Sequence, residues 1–155
     1  MIAGTKQWTC LALLTFSAIG AGFGDTTPTP QADIKGLVAI VTRLEAVGCQ
    51  IVDASFVKGR WQLEGYRDDL SFELAVDHET GLLKSVRRDS VNPPPPTGAK
   101  PLSQILTVVQ KAGWPRIVSV GLDHGQWDVK AYRDLARLEL HLDAISGAIV
   151  AERTD

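Results

Sequence analysis

The sequence predicts an α+β fold of two tandem repeats, each one helix packed on a three- to four-stranded antiparallel sheet. Three observations predict it. Residue types in the first half recur sixty-six positions later, the hydrophobic period within each half switches from three or four residues to two, and a run of prolines separates the halves.

The repeat comes first, because a missed repeat misreads the whole architecture. Ile51, Val52, Gly59, Trp61, Tyr66, Arg67 and Asp68 are matched by Ile117, Val118, Gly125, Trp127, Tyr132, Arg133 and Asp134. The register runs on without a gap through Glu73 and Glu139, Leu74 and Leu140, Asp77 and Asp143, and Gly81 and Gly147. Upstream, Gly48 aligns with Gly113, so one residue is inserted around Trp114-Pro115.

Each repeat opens on a helical pattern. Ile34, Leu37, Val38, Val41, Leu44 and Val47 gather on one helix face, with Asp33 placed to cap its start and Gly48 to end it. Leu102, Ile105, Leu106 and Val109 do the same between a candidate cap at Ser103 and a stop at Gly113. The period then becomes two. Val52, Ala54 and Phe56 alternate with polar residues, as do Val118, Val120 and Leu122; after turns at Gly59 and Gly125 come strands carrying Trp61 and Leu63, or Trp127 and Val129. Phe72 and Leu74, with Leu138 and Leu140, mark the third strand of each repeat, so these residues and the two tryptophans are the expected core. Asp77 to Gly81 and Asp143 to Gly147 share Asp-x-x-(Thr/Ser)-Gly, a pattern for a hairpin turn in which Asp bonds turn amides and Gly takes positive φ.

Domain organisation follows from composition. Lys6 and the apolar run from Trp8 to Ile19 have the layout of a secretory signal peptide over residues 1–20, cleaved near Gly20, which predicts a secreted or periplasmic protein. The run is shorter than the ~20 residues that cross a bilayer, so no stable membrane span is expected after cleavage. A flexible leader (21–31), repeat 1 (32–90), a proline-rich linker (91–101) and repeat 2 (102–155) complete the chain. Cleavage leaves Cys49 without a partner for an internal disulfide, so the core must hold the fold.

The net charge of -2 comes from interspersed acids and bases, which excludes the basic stripe that nucleic acid requires. The three histidines, His78, His124 and His141, show no metal-ligand spacing, and no triad of nucleophile, base and orienting group is evident; neither catalysis, a metal nor a cofactor is expected. Tyr66-Arg67-Asp68 and Tyr132-Arg133-Asp134 are the candidate partner-binding residues, because a strand end can present an aromatic plane and a guanidinium fork. An Arg paired to a nearby acid beside an Asp that closes the turn is the competing structural reading.

Gly-x-Trp-x-(Leu/Val), Tyr-Arg-Asp and Asp-x-x-(Thr/Ser)-Gly, in this order and in both halves, resemble the PepSY domain. The resemblance covers roughly Ala32 to Asp89 and Leu102 to Asp155. It implies a helix on an antiparallel sheet in an exported or membrane-associated bacterial protein that binds a protein partner, with a peptidase restrained outside the cytoplasm as the first candidate. A periplasmic small-molecule or cation sensor is the alternative.

Overall fold

A computed structural model of the chain describes residues 32–88 and 94–154. The expected signal peptide and leader and the start of the linker lie outside the described residues. The elements run β1 (Ala32–Asp33), α1 (Ile34–Ala46), β2 (Gln50–Val57), β3 (Arg60–Arg67), β4 (Leu70–Asp77), β5 (Leu83–Arg88), α2 (Leu102–Lys111), β6 (Arg116–Asp123), β7 (Gln126–Arg133), β8 (Ala136–Asp143) and β9 (Ile149–Thr154).

Both helices end the same way, for a reason visible in their sequences. Gly48 and Gly113 take positive φ of 86° and 89°, which a side chain resists. Their N–H groups donate to the carbonyls of Glu45 and Gln110, and the next residues, Cys49 and Trp114, donate back to Leu44 and Val109 at 3.0 and 3.2 Å. This double bond pattern is a Schellman cap. At the start of α2 the cap residue is Pro101 and not Ser103, which lies inside the helix; its N–H is met by the Glu45 carboxylate of α1 at 3.1 Å. One helix thus supplies the anion that the other's N-terminus needs.

The strands form one sheet. All pairings are antiparallel and the order is β5-β4-β3-β2-β6-β7-β8-β9, with β1 added beside β6. At its centre β2 meets β6 through Asp53 on Gly121, Ala54 on Val120 and Ser55 on Ser119. Under the sixty-six-residue offset Gly121 is the counterpart of Ser55 and Ser119 that of Asp53, so the pairing is its own reciprocal and the halves are related by a pseudo-twofold axis through Ala54 and Val120. The register breaks follow the same offset: bulges fall between Ile51 and Asp53 and between Ile117 and Ser119.

This corrects the expected fold class. The halves do not form two helix-on-sheet units; they share a single sheet, mostly β, with α1 and α2 in contact on one face and one core between. The physical reason lies in the strand edges. Alternation along a strand records which face is buried, whereas the N–H and C=O groups that choose a neighbour are common to all residues. Separate units would have left β2 and β6 as two open edges; joined, they close each other.

The core runs unbroken across the seam. Ile34, Leu37, Ile40, Val41 and Leu44 of α1 and Leu102, Ile105, Leu106 and Val109 of α2 cover Ala54, Leu63, Phe72 and Leu74 on one side and Val120, Val129, Leu138 and Leu140 on the other. Trp61, Trp114 and Trp127 are its largest fully enclosed side chains. Each removes roughly 150–250 Å² from water, a gross contribution on the order of 4–6 kcal/mol apiece.

Two glycines of the first half predict opposite responses to one substitution. A Cβ on Gly65 would stand 2.4 Å from the Gln50 carbonyl oxygen and 3.1 Å from Phe72, while one on Gly36, in the exposed interior of α1, would meet nothing within 4 Å. Gly65→Ala should therefore cost roughly 1–3 kcal/mol through forced backbone movement, and Gly36→Ala should stabilise by up to about 1 kcal/mol through helix propensity. Thermal unfolding of the two variants checks this: opposite shifts of Tm are expected, and a Gly65→Ala variant as stable as the parent would contradict the close approach.

Candidate functional site

One face of the sheet lies under the helices and the other is open. Along the open face the strand register sets up a row that crosses the whole sheet: Arg87, Glu73, Glu64, Asp53, Gly121, Asp128, His141 and Ala151. Its left flank is neutralised, since the Arg87 guanidinium donates to Glu73 at 2.9 Å. At its right, a ring nitrogen of His141 faces Asp128 Oδ1 at 2.5 Å, and the other ring nitrogen has no partner among the described residues. Between them, at the seam, two carboxylates are neighbours across strands.

Those two are Asp53 and Glu64. Burial first, and then the negative charge of Glu64, raise the Asp53 carboxyl, a hydrogen bond from the Ser55 hydroxyl 3.2 Å away partly offsets them, and the net result is a pKa of about 6. Gly121 makes room for it: a Cβ there would lie 2.9 Å from Asp53 Oδ2. The bland residue opposite is what lets the acid sit at the middle of the sheet.

A cleft of about 530 Å³ opens over this spot, with Asp53, Glu64 and Asp128 on its floor, Pro94 to Pro96 as one wall, and Asp123 and His124 of the β6–β7 turn at its rim. The repeat shows what is particular about the floor. Its scaffold is duplicated but its chemistry is not: the counterparts of Asp53, Glu64, Asp128 and His141 are Ser119, Lys130, Gln62 and Ala75. Four polar departures from the internal symmetry fall in a single cross-sheet row.

The two Tyr-Arg-Asp segments are not brought together. β2 and β6 run antiparallel, so the end of β3 beside Gln50 and the end of β7 beside Arg116 lie at opposite ends of the sheet. Tyr66 is buried and Tyr132 half-buried. Arg67 lies 3.9 Å from exposed Asp68, a weak surface pair. Arg133 stacks on the indole of Trp114, 3.6 Å from the ring centroid, and reaches the Ala112 carbonyl at the end of α2. Asp68 and Asp134 take positive φ of 51° and 54° in the hairpin turns, and Leu135, beside Asp134, is 99% exposed.

Asp77 and Asp143 each organise a turn. Asp77 Oδ1 accepts from the Glu79 and Thr80 N–H groups and from the Thr80 hydroxyl, and Asp143 Oδ1 from the Ile145 and Ser146 N–H groups. Gly81 and Gly147 complete the turns with φ of 66° and 72°. These bonds, led by Thr80 and Ser146, hold both carboxyls below their ordinary value. One oxygen of each, Oδ1, is occupied by the turn, and among the described residues no group of three or more His, Cys, Asp or Glu could hold a metal ion.

Sequence reasoning singled out none of Asp53, Glu64, Asp128 and His141 as a site, because none is a defining position of a motif and sixty-four to eighty-eight residues separate the halves of the row. The signal that could have found them is a mismatch: outward positions in which one repeat is acidic or imidazole-bearing and the other is not.

No family model matches the chain, and no curated protein matches it either. Among solved structures, a lipoprotein-like protein of Clostridium difficile matches with 11% identity over 80% of this chain and 93% of its own, at a TM-score of 0.45. A BLIP-like protein of Bacteroides fragilis matches with 11% identity over 84% of this chain and 89% of its own, and a DUF2874 family protein of Bacteroides uniformis with 9% identity over 83% and 90%, both at a TM-score of 0.29. Likeness at this level assigns neither family nor function. The PepSY resemblance is corrected: no family model supports it, and the halves share one sheet where the resemblance implied a helix on a sheet in each. Its motifs have local causes here: tight hairpins, Asp-organised turns and an enclosed indole arise in any antiparallel sheet covered on one face.

The pH dependence of stability follows from the two classes of carboxyl. Asp53 is raised from 3.8 to about 6 on folding, so the folded state binds its proton more tightly. That contribution is fully present below pH 3.8 and is lost as pH rises through about 6; it amounts to at most about 3 kcal/mol. Asp77 and Asp143 act oppositely, stabilising above the ordinary carboxylate pKa and losing that contribution as pH falls below it. Asp53→Asn should flatten the decline between pH 4 and 6.5 and leave the acid limb in place. Urea midpoints measured from pH 3 to 8 decide it, and a decline that persists in Asp53→Asn would locate its origin elsewhere.

Proposed function

We propose that this chain is an exported, non-catalytic binding module that seats a cationic segment of a protein partner on the open face of its sheet. The observation that carries the reading is the row of departures from internal symmetry: Asp53, Glu64 and Asp128, whose counterparts are Ser119, Lys130 and Gln62, come together across the sheet and floor one cleft. A Lys or Arg side chain entering it would pair with Asp53, Glu64 and Asp128 between half-buried walls, where charge attraction is less screened than on a flat surface. The proline rings of the wall restrict its backbone before binding, so it adds little entropy cost.

The lysine-led apolar run at the start of the sequence supports export, and among the described residues no helix is long and apolar enough to cross a membrane. Restraint of a peptidase was implied by the PepSY resemblance alone and is withdrawn with it.

Binding of a lysine-rich peptide and of its glutamate-rich counterpart, followed by calorimetry, tests the proposal. The basic peptide alone should bind, about tenfold more weakly after Glu64→Gln with Asp128→Asn, and more tightly at pH 7.5 than at pH 5 because Asp53 ionises between them. Equal binding of both peptides, or none, would refute it.

A further inference from the structure

A second cavity, of about 610 Å³, lies on the other side of the proline segment, at the end of α1 and the start of β2. Pro95 and Pro96 wall both it and the open-face cleft, so this short stretch separates a polar space over the sheet from one that reaches the core. Cys49, Ile51, Glu45, Lys100 and Trp127 line it.

The internal symmetry explains why it is there. Cys49 and Trp114 hold the same place in the fold, each closing its helix's Schellman cap by donating to the carbonyl five residues back. In the second half that place carries an indole, enclosed by the core and stacked beneath the Arg133 guanidinium. In the first half it carries a thiol, 5% exposed, and the cavity lies against it. Trp127, also in the cavity wall and 1% exposed, has an indole N–H with no acceptor among the described residues. A buried donor left without a partner carries a desolvation cost that an acceptor would relieve. The volume is in the range of small-molecule sites.

We propose that this cavity is a binding site for a planar, uncharged, largely apolar small molecule of about the size of an indole that bears a hydrogen-bond acceptor. The ligand lies against Cys49, where the second half carries the Trp114 indole, and its acceptor takes the Trp127 N–H. Glu45, committed to the N-terminus of α2, and Lys100 set one charge of each sign at the wall, which gives a singly charged ligand no net attraction. The site is separate from the open face and does not depend on the reading proposed for it.

Quinoline, planar and bicyclic with one ring nitrogen as acceptor, is the probe, and naphthalene, the same shape without the acceptor, is its comparison. In the full chain labelled with ¹⁵N, quinoline at pH 7.5 should move the Trp127 indole cross-peak saturably, with naphthalene at least tenfold weaker. Cys49→Phe, which supplies a ring from the protein itself, should abolish the shift; Cys49→Leu, a milder filling, should weaken it at least fivefold and carries the test where the phenylalanine variant does not fold. No saturable shift, equal affinity for both probes, or undiminished binding in the filled variant overturns the proposal. Neither result bears on peptide binding at the open face.

Discussion

Three cross-strand residue pairs at the centre of the sheet join β2 of one half to β6 of the other: Asp53 with Gly121, Ala54 with Val120, and Ser55 with Ser119. The outer strands can only be placed once β2 and β6 have met, because each is paired outward from one of these two. The helices depend on the seam as well, since α1 and α2 touch only if the sheets beneath them are continuous. A link this short holds because it is reinforced on both sides. The core passes beneath it without interruption, the β1 segment extends the pairing along β6, and the Glu45 carboxylate of one half caps the helix of the other.

The pseudo-twofold relation at the seam makes the molecule its own control. Where two equivalent positions carry the same residue, the shared scaffold accounts for it: Gly59 and Gly125 in tight turns, Trp61 and Trp127 in the core, Asp77 and Asp143 organising their loops. Where they differ, something beyond folding has to be sought. Two groups of differences border spaces on either side of the same proline segment. On the open face they assemble Asp53, Glu64 and Asp128; on the helix side, Cys49 replaces an indole and leaves space. Both spaces borrow Pro95 and Pro96 as a wall, so the segment joining the repeats in sequence also shapes the surfaces by which they differ.

Asp53 connects these themes. It sits at the end of the seam, in the one position where Gly121 leaves space for a carboxylate, and beside a second acid that resists its ionisation. Placing it there opposes stability at neutral pH, which a Ser at the equivalent position of the other half avoids. A half-buried acid retained against its own cost, in a cleft with two more, is the arrangement from which the binding role is drawn.

Much of the local structure was legible in the chain. Helix stripes, Gly-ended caps, hairpin turns and the enclosed tryptophans follow from side-chain periodicity and backbone conformational limits, and these act over a few residues. The capping of α2 by Glu45 was not legible, nor was the burial of Tyr66, because each requires a neighbour distant in sequence. The floor of the cleft is the same case: Asp53 and Asp128 belong to different repeats and share a row only after β2 has paired with β6. By itself the sequence determined that the protein repeats itself, which faces it buries and where its turns fall. Only the tertiary structure decided that the copies share one sheet and which polar residues become neighbours, because backbone edges carry no side-chain signature and strand register converts sequence distance into proximity.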